Sequence, residues 1–379
     1  MESVGIFEGG AHEQYLTAMC RISETVGETV RVFTTQEKFK SISTTESLNH
    51  GAFDWTVKDD DLSISKFYRS LEDATESLEV LIVLTKPHSI RELMQFVRLD
   101  LQCPTLLYIY NIETWFNTRP RLSQRVRGNI KRLLLGRIRR TFDGFVVEYP
   151  QFESYIQQCF DCPSHSVHTF PPVVYDQHQK TNRSDQFVVS VPGNVQSSRR
   201  DYDILLDGIE DSFRAYPDDL ELRLVGPPIG EYGQGIMARC DWLRDQGFSI
   251  RTFDSRLDSQ RFDNEMCESN LLVSPLRLTT KGSTGECELF GVTKGSGSVF
   301  DALRYQTPAL FPDHFFVPQY VRQATESFKS AGDITVIINQ FLNDADYRKQ
   351  MESKARDASS TFVLERQRER FESLVETVR

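Results

Sequence analysis

Lysine is scarce in this sequence. Of the 44 lysine and arginine residues only 12 are lysines, and the 379-residue chain carries a formal net charge of −10. An acidic, lysine-poor surface disfavours general binding to nucleic acids. The composition therefore predicts that nucleic acid is not a partner of this protein.

Long apolar runs are also missing. The longest runs, LEVLIVL and TLLYIY, have the length of β-strands, and the first residues show no basic-then-apolar leader. A membrane-spanning helix needs about 20 consecutive apolar residues. We therefore expect a cytoplasmic protein without a spanning helix.

Cysteine is sparse, and the odd count of seven is typical of a reducing compartment. The segment CFDCPSHSVH brings Cys159, Cys162, His165 and His168 together. Zinc sites usually separate two ligand pairs by a longer excursion, and this segment continues into a strand-like run. The acidic pair of DYD at 201–203 lies at a predicted helix start, where a carboxylate stabilises the helix dipole. We expect no metal ion and no other cofactor.

The chain is long enough for two domains, and apolar strand-like runs alternate with helical segments in two successive series. The rhythm predicts an α/β protein with two tandem Rossmann-like, doubly wound domains that face a central cleft. The first would span 1–175, a polar linker 176–185, and the second 186–345. A helical region over 346–379 would pack back on the first domain.

A glycine-rich turn precedes a predicted helix in GVTKGSGSVFDALRYQTPAL, residues 291–310. The first amides of a helix lack internal partners and attract phosphate oxygens. The alternative is a close-packed loop in which Gly295 and Gly297 adopt positive φ angles. These residues alone leave both possibilities open.

Four landmarks in the second half resemble the donor-binding domain of GT-B glycosyltransferases, most nearly those of the retaining family 4. In VVSVPGNVQSSRRDYDILLDGI, Arg200 stands where that family usually has lysine after a strand and a glycine turn. LRLVG is similar to the next strand. SIRTFDSRLDSQRFDNEMCESNLLVSP resembles a strand, base-binding loop, short helix and strand, and GSGSVFDALRYQTPALFP resembles the terminal phosphate turn with its helix. The similarity covers about residues 185–315.

The resemblance implies a donor site in the second domain. It assigns the ribose to Asp301, although the family's first glutamate is replaced by Thr293. The implied donor-phosphate residues are Gly193, Asn194, Arg200, Lys294, Gly295, Ser296, Gly297 and Ser298. The implied nucleobase loop comprises Phe253, Asp254 and Arg256. Cations and helix amides of this kind stabilise the charge that develops on a diphosphate leaving group.

The acceptor side would lie in the first domain. His12, near the first strand-to-helix turn, is either the general base of the reaction or a residue that only lines the pocket. Asn111 and Glu113 follow the strand TLLYIY and complete the candidate catalytic set. Tyr110 stands where family 4 often has histidine.

A basic amphipathic helix is predicted over 119–142, where nine cations occur without one acidic residue. The candidate membrane or acceptor contacts are Arg125, Arg127, Lys131, Arg132, Arg137, Arg139 and Arg140. One interpretation is attachment to an anionic membrane, which would hold the cleft near a lipid-linked acceptor. The other buries the apolar stripe in the core and leaves the arginines solvated.

The resemblance implies a metal-independent glycosyltransferase of the hexosyltransferase type. It would transfer a sugar from a nucleotide-sugar to a glycan or lipid-linked acceptor in cell-surface glycan or glycolipid synthesis, at the inner face of the membrane. Two alternatives remain: a nucleotide-sugar 2-epimerase of the same fold, and a noncatalytic glycan-binding or partner-binding protein. A nicotinamide dehydrogenase is disfavoured because FEGGAHEQ and VPGNVQSS both lack the spaced three-glycine fingerprint.

Overall fold

A computed structural model describes residues 3–10, 12–43, 48–59, 62–87, 89–119, 126–160, 162, 166–175 and 185–379. The strands are β1 (Ser3–Glu8), β2 (Thr29–Thr35), β3 (Phe53–Lys58), β4 (Val80–Thr85), β5 (Thr105–Tyr108), β6 (Gly144–Val147), β7 (Val167–Thr169), β8 (Phe187–Pro192), β9 (Leu220–Val225), β10 (Ser249–Thr252), β11 (Leu271–Val273), β12 (Thr279–Lys281), β13 (Cys287–Leu289), β14 (Ala309–Pro312) and β15 (Thr325–Phe328).

The helices are α1 (Glu13–Val26), α2 (Gln36–Ile42), α3 (Ile64–Thr75), α4 (Ile90–Phe96), α5 (Ile112–Phe116), α6 (Val126–Arg139), α7 (Pro150–Cys159), α8 (Tyr202–Ala215), α9 (Gly230–Asp245), α10 (Ser259–Cys267), α11 (Gly297–Arg304), α12 (Gln319–Arg322), α13 (Ala331–Asn343), α14 (Ala345–Ser360) and α15 (Leu364–Glu376). A single 3₁₀ turn, His50–Ala52, precedes β3.

Two parallel sheets organise the chain. The first has seven strands in the order β3-β2-β1-β4-β5-β6-β7, and the second has six in the order β10-β9-β8-β11-β14-β15. In each sheet the strand order reverses beside the first strand, between β1 and β4 and between β8 and β11. This is the doubly wound topology, in which ligands bind beyond the carboxyl ends of the strands at the reversal. The predicted fold class is confirmed.

The sequence explains why these segments form a buried parallel sheet. All six residues of β4, VLIVLT, are buried, and so are all six of β8, FVVSVP. Strands covered by helices on both faces need such continuous apolar runs instead of alternation. Side chains at helix starts fix where the helices begin. Thr35, Ser63 and Ser89 each accept a hydrogen bond from a backbone N–H group in the first turn of α2, α3 and α4.

The C-terminal helix returns to the first sheet. Helix α15 packs against α1, and the Phe371 ring lies 5.8 Å from the Phe170 ring. The Gln367 side-chain amide donates to the carbonyls of Pro171 and Val173, at 2.8 and 2.6 Å. Residues that follow the second sheet therefore complete the core of the first half.

A two-stranded antiparallel ribbon, β12 and β13, projects from the second half onto the first. The sequence left open whether residues 278–294 form an ordered loop or a mobile lid. Glu288 on β13 accepts bonds from the amides of Glu113 and Thr114, at 3.2 and 2.9 Å, so it caps the start of α5. Glu286 forms an ion pair with Arg132 of α6, and both side chains are buried. The ribbon is thus an ordered bridge between the two halves.

Arg132 corrects one of the sequence-based predictions. It was included among the membrane or acceptor contacts, but its side chain is fully buried and also donates to the carbonyls of Asn117 and Thr284, at 3.0 and 3.2 Å. A guanidinium that is enclosed in this way cannot reach a membrane. The helical charge pattern identified α6 correctly as basic and gave no sign that one arginine points inward.

Several other predictions fall partly outside the described residues. Arg125, His165 and most of the proposed linker, 176–184, lie there. Among the residues that are described, no group of three histidine, cysteine, aspartate or glutamate side chains could hold a metal ion. None of the described helices is long and apolar enough to cross a membrane.

Replacing Arg132 by methionine tests how much its ion pair with Glu286 contributes to the stability of the protein. The substitution leaves the Glu286 carboxylate buried without its cation, which costs roughly 3 to 5 kcal/mol. We expect a correspondingly lower free energy of unfolding in urea, followed by circular dichroism. The matched control is Arg214→Met on the exposed surface of α8. This substitution should change the free energy of unfolding by less than about 0.5 kcal/mol. An equal effect of both substitutions would contradict a structural role for the bridge.

Candidate functional site

The cleft between the two sheets is lined on its first side by an aromatic stack. The His12 ring lies 4.3 Å from the Tyr110 ring and 5.0 Å from the Tyr15 ring, with all three nearly parallel. His12 is the last residue before α1, and Tyr110 follows β5. The structure therefore brings His12 to the carboxyl ends of the strands, where the sequence placed it. The Tyr110 hydroxyl is buried and has no hydrogen-bond partner in the part of the chain that the structure describes.

Glu8 is a buried carboxyl at the end of β1. It accepts bonds from the Gly10 amide at 2.6 Å and the Thr85 hydroxyl at 2.8 Å, and also from the His12 amide. Burial raises the pKa of Glu8 to about 7, although these bonds and the Lys38 ammonium oppose the shift. Glu8 can therefore gain or lose a proton near neutral pH.

A second buried carboxyl, Glu148, follows β6. The Tyr15 hydroxyl donates to one of its oxygens. The other oxygen is so close to Gly295 that a Cβ atom on that residue would lie 1.8 Å from it. Only glycine fits at position 295 for this reason. Burial raises the pKa of Glu148 to about 7, against the effects of Tyr15 and Lys294.

The predicted phosphate turn starts α11 as expected. Ser296 is the N-cap, and its hydroxyl accepts from the Ser298 amide at 3.4 Å. The Tyr149 hydroxyl both accepts from the Ser296 amide and donates to the Ser296 carbonyl, at 2.9 and 3.0 Å. Gly297 is exposed, and no atom lies within 4 Å of the position of a Cβ atom there. The turn thus has an open face at Gly297 and a contact with the first half at Ser296.

Three cations meet beside this turn. Arg200 donates to the carbonyls of Pro192 and Asn194, at 2.8 and 3.4 Å, which folds its side chain around Gly193. Gly193 has a φ of +98°, and the Arg200 guanidinium lies about 3.0 Å from where its Cβ would be. Among the described residues, the buried Arg200 Nε atom has no hydrogen-bond partner. Lys294 donates to Asn111, whereas the third cation, Arg199, is exposed.

These cations perturb one another. Burial lowers the pKa of Lys294 to about 8, and Arg199 contributes to the same shift. The pKa of Arg199 is itself lowered, first by loss of hydration and then by Arg200. Positive groups that are held together against their mutual repulsion form a ready site for an anion.

Asp301 lies in α11, close to this group. Burial raises the pKa of Asp301 to about 6, and the neighbouring Arg304 and Arg200 oppose the shift. The residue is 7% exposed, so little of it is open to solvent. The structure therefore joins Gly193, Arg200 and Asp301 in one electrostatic environment.

Thr293, at the position of the family's first glutamate, has a structural role. Its hydroxyl accepts from the Leu289 amide at 2.9 Å and bonds to Glu288, and the residue is 1% exposed. Its carbonyl accepts from the Ile112 amide at 2.9 Å. Thr293 thus ties the ribbon to α5 and does not line the cleft.

The remaining predicted residues are divided between the cleft and the packing around it. Asn111 faces the cleft and accepts from Lys294. Glu113 is held by the Tyr155 hydroxyl and the Asn117 amide, so both of its oxygens have partners. In the nucleobase loop Phe253 is buried, whereas Asp254 and Arg256 are exposed, and Arg256 reaches across to Glu13 at 3.0 Å.

Helix α6 exposes a face that is both basic and apolar. Val126, Ile130 and Leu133 are 76%, 39% and 55% exposed, whereas Leu135 and Ile138 are buried. The cations at the surface of this helix and just after it are Arg127, Lys131, Arg137, Arg139 and Arg140, all of them at least partly exposed. The apolar stripe is thus divided between the core and the solvent.

Sequence reasoning missed Glu8, Glu148 and Arg199. Each of the two carboxyls stands at or immediately after the end of a strand that is buried, apart from Ser3 of β1, in SVGIFEG and FDGFVVEYP. A charged residue in that position is rarely there for packing, because an unpaired buried carboxylate is costly. This position was the available signal. Arg199 was not considered because the motif assigned phosphate binding to the neighbouring Arg200.

Comparison with solved structures identifies the fold. HepE from Anabaena, crystallised with UDP and glucose, aligns over 100% of both chains with 11% identity and a TM-score of 0.68. A glycosyltransferase from Rickettsia africae aligns over 100% of this chain and 98% of its own, with 9% identity and a TM-score of 0.64.

A putative UDP-N-acetylglucosamine 2-epimerase from Listeria monocytogenes aligns over 99% of this chain and 96% of its own, with 12% identity and a TM-score of 0.58. No family model and no curated protein matches the sequence. The chain has the GT-B fold, and these neighbours do not single out family 4.

The pKa of Glu8 gives a testable dependence of stability on pH. The raised pKa means that the folded chain holds a proton that the unfolded chain releases, so this stabilisation is present below about pH 4.5 and is lost as the pH rises through about 7. Glu8→Gln keeps an uncharged polar group there. We expect it to raise the free energy of unfolding at pH 8 by roughly 2 to 3 kcal/mol relative to the native chain, with little gain at pH 4.5.

Melting temperatures across this pH range measure the effect. The control is Glu76→Gln, which changes an exposed carboxyl and should change the melting temperature by the same amount at every pH. A uniform effect of Glu8→Gln would show that Glu8 ionises normally.

Proposed function

We propose that this protein is a glycosyltransferase that transfers a sugar from a nucleoside diphosphate to a hydroxyl group of an acceptor. The observation that carries the proposal is the meeting of Arg199, Arg200 and Lys294 beside the open turn of α11. This site lies at the carboxyl end of the second sheet, next to its reversal of strand order, which is where doubly wound folds bind nucleotides.

The proposed chemistry follows from charge. As the bond from the sugar to the phosphate breaks, negative charge develops on the leaving diphosphate, and preorganised cations stabilise it. Lys294 directly precedes the Gly295–Ser298 turn in sequence, and Arg199 is close enough to both Lys294 and Arg200 to perturb the charge of the group. In the proposed complex these cations hold the two phosphates beside the open face of the turn at Gly297. The three cations supply this positive charge, and the proposal uses no metal ion or other cofactor.

The nucleoside would extend from the diphosphate along α11. A ribose diol can donate to Asp301, and the exposed residues Asp254 and Arg256 lie in the loop assigned to the base. The sugar would then face His12 and Asn111 across the cleft. We assign His12 to the acceptor side, either as the base for the acceptor hydroxyl or as its orienting neighbour.

The acceptor is proposed to be a glycan or a lipid-linked sugar. A cavity of about 360 Å³ opens at the carboxyl ends of β1, β2 and β3. It is lined by Gly9, Gly10, Thr35, Gln36, Glu37, Lys58, Asp59 and Glu92. Such a lining offers many hydrogen-bond donors and acceptors, which suits a polyhydroxylated molecule.

A second candidate is a nucleotide-sugar 2-epimerase. It is favoured by the convergence of His12 with the buried carboxyls of Glu8 and Glu148, because inversion at a carbon beside the glycosidic bond needs acid and base groups around the sugar. Product analysis distinguishes the two: an epimerase alters the sugar without an acceptor, whereas a transferase needs one.

Donor binding is the first test of the proposed function. We expect UDP and UDP-glucose to raise the melting temperature of the native chain, because a ligand that binds only the folded state stabilises it. Arg199→Gln and Lys294→Gln should each weaken UDP-glucose binding about tenfold or more, as loss of a charged hydrogen bond costs roughly 1.5 to 3 kcal/mol. Arg214→Gln on α8 is the matched control and should bind normally. Absence of stabilisation by any nucleotide or nucleotide-sugar would contradict the proposal.

We also propose that the exposed face of α6 docks on an anionic membrane surface and brings the cleft to a lipid-linked acceptor at the inner face of the cell membrane. Met94 of the adjoining helix α4 is 42% exposed and extends the apolar patch. The cations nearby repel one another: the pKa of Lys86 is lowered to about 8 by burial and then by Lys131. An anionic surface would relieve this repulsion.

Vesicle flotation tests the docking. The native chain should float with vesicles that contain phosphatidylglycerol and not with neutral phosphatidylcholine vesicles. Arg137→Gln should weaken binding about fivefold, since a surface cation contributes about 1 kcal/mol, and Leu133→Ser about tenfold. Val336→Ser removes a side chain of similar exposure, 66%, from α13 and should have no effect. Equal binding to both kinds of vesicle would contradict the electrostatic part of the proposal.

A further inference from the structure

The turn that starts α11 already has an anionic group beside it. The Glu148 carboxyl, from the first half, lies against Gly295, where a Cβ atom would be 1.8 Å from its oxygen. The next residue, Tyr149, bonds to both the amide and the carbonyl of Ser296. The end of β6 therefore sits directly on the start of α11.

This carboxyl lies beside a helix start. Helix starts favour anions, because their first amides lack partners and the helix dipole is positive there. Lys294 is near enough to lower the pKa of Glu148. A separate observation concerns Arg200, whose side chain is 9% exposed: its buried Nε atom has no hydrogen-bond partner among the described residues, so a further acceptor close to it would be stabilised.

A donor diphosphate on the same turn would meet this carboxyl. An ionised Glu148 would then repel the phosphate oxygens at short range in a poorly hydrated site, which costs binding energy. A protonated Glu148 carries no charge and has an O–H group that can donate to a phosphate oxygen. The two protonation states therefore have opposite effects on donor binding.

We propose that Glu148 is a donor-binding residue that acts as the neutral acid, so that a nucleotide-sugar binds with uptake of one proton at this carboxyl. This inference rests on the proposed function, since it concerns the diphosphate of the donor. It adds a residue of the first half to the donor site and makes donor affinity depend on pH.

The groups around Glu148 favour the neutral form. The side chains that face or neighbour it are Tyr15 from α1, Tyr108 and Tyr110 from β5 and the residue after it, Tyr149 beside it, Tyr320 from α12, and Lys294. Lys294 is the only cation in this set, and Glu148 itself is 2% exposed. Burial raises the pKa of Glu148 to about 7 in the free protein.

The sign of the pH dependence follows. Below about pH 7 the carboxyl already holds its proton, and donor binding needs no further uptake. Above that value each pH unit weakens binding by up to about tenfold, because the proton must be taken from increasingly dilute solution. Lys294 loses its charge as the pH rises through about 8, which adds a separate weakening at the alkaline end.

Isothermal titration of the full chain with UDP-glucose tests this. A nucleotide-sugar is the appropriate probe, because its diphosphate has no terminal phosphate ionisation near neutral pH, unlike UDP. From about pH 6 to about pH 8 we expect the Kd to rise roughly tenfold, and buffers of different ionisation enthalpy should show net proton uptake at pH 7.5.

Glu148→Gln should bind UDP-glucose with an almost constant Kd between about pH 6 and 7.5, and proton uptake at pH 7.5 should fall to the small part that Lys294 contributes. It should bind more tightly than the native chain at pH 8, by roughly tenfold. The weakening that begins near pH 8 should remain, since Lys294 is intact. Glu8→Gln is the control: it removes a carboxyl of similar burial and pKa that bonds to Gly10 and Thr85, and the pH dependence should persist.

Glu148→Ala provides a second variant if the glutamine chain is poorly folded, and its melting curve is measured first. A native Kd that is constant from pH 6 to 8, or a roughly tenfold rise in Kd over this range that survives both Glu148 substitutions, would overturn the inference. If UDP-glucose binds and either of these results is found, only the role of Glu148 is wrong and the proposed function stands. If UDP-glucose does not bind at any pH, the proposed function itself fails.

Discussion

The cleft depends on the bond between the Glu288 carboxylate and the first turn of α5. Glu288 belongs to the ribbon of the second half, and the amides that it accepts belong to the first half. Those amides would otherwise be unpaired donors at a helix start. Since Thr293 and Lys294 continue directly from the ribbon, the same contact determines where the cationic turn lies relative to His12 and Asn111.

Loss of hydration acts on both sides of the cleft and drives opposite charges toward neutrality. It raises the pKa of Glu8 and Glu148 to about 7 and lowers that of Lys294 to about 8. Groups that differ by several pH units in water are thereby brought within a narrow range. The first half contributes carboxyls and the second half cations, so small movements of one half against the other would change the protonation of both.

The fold was predictable because it is encoded in local patterns. Runs such as VLIVLT and FVVSVP predict buried parallel strands, and their alternation with helices predicts the two sheets. The short strands TTK and CEL carry no such pattern, and the ribbon is held to the first half by the contacts of Glu288 with α5 and of Glu286 with α6. For this reason the ribbon could not be recognised from sequence.

The candidate site was predictable in part for the same reason. Arg200, Lys294 and Asp301 lie in or beside recognisable elements and were proposed from sequence, whereas Arg199 and Glu148 depend on pairing between distant segments. Arg132 illustrates the limit: one arginine in a run of cations is turned inward by Glu286, which lies far away in the chain.

The return of α15 to the first sheet has a consequence for biosynthesis. Phe371, Leu374 and Val375 are almost completely buried, in part against α1. During translation the first sheet leaves the ribosome long before α15 is made, so the face of α1 that these residues cover stays open to water until then. A chain that stops before α15 would expose this apolar face to chaperones and proteases.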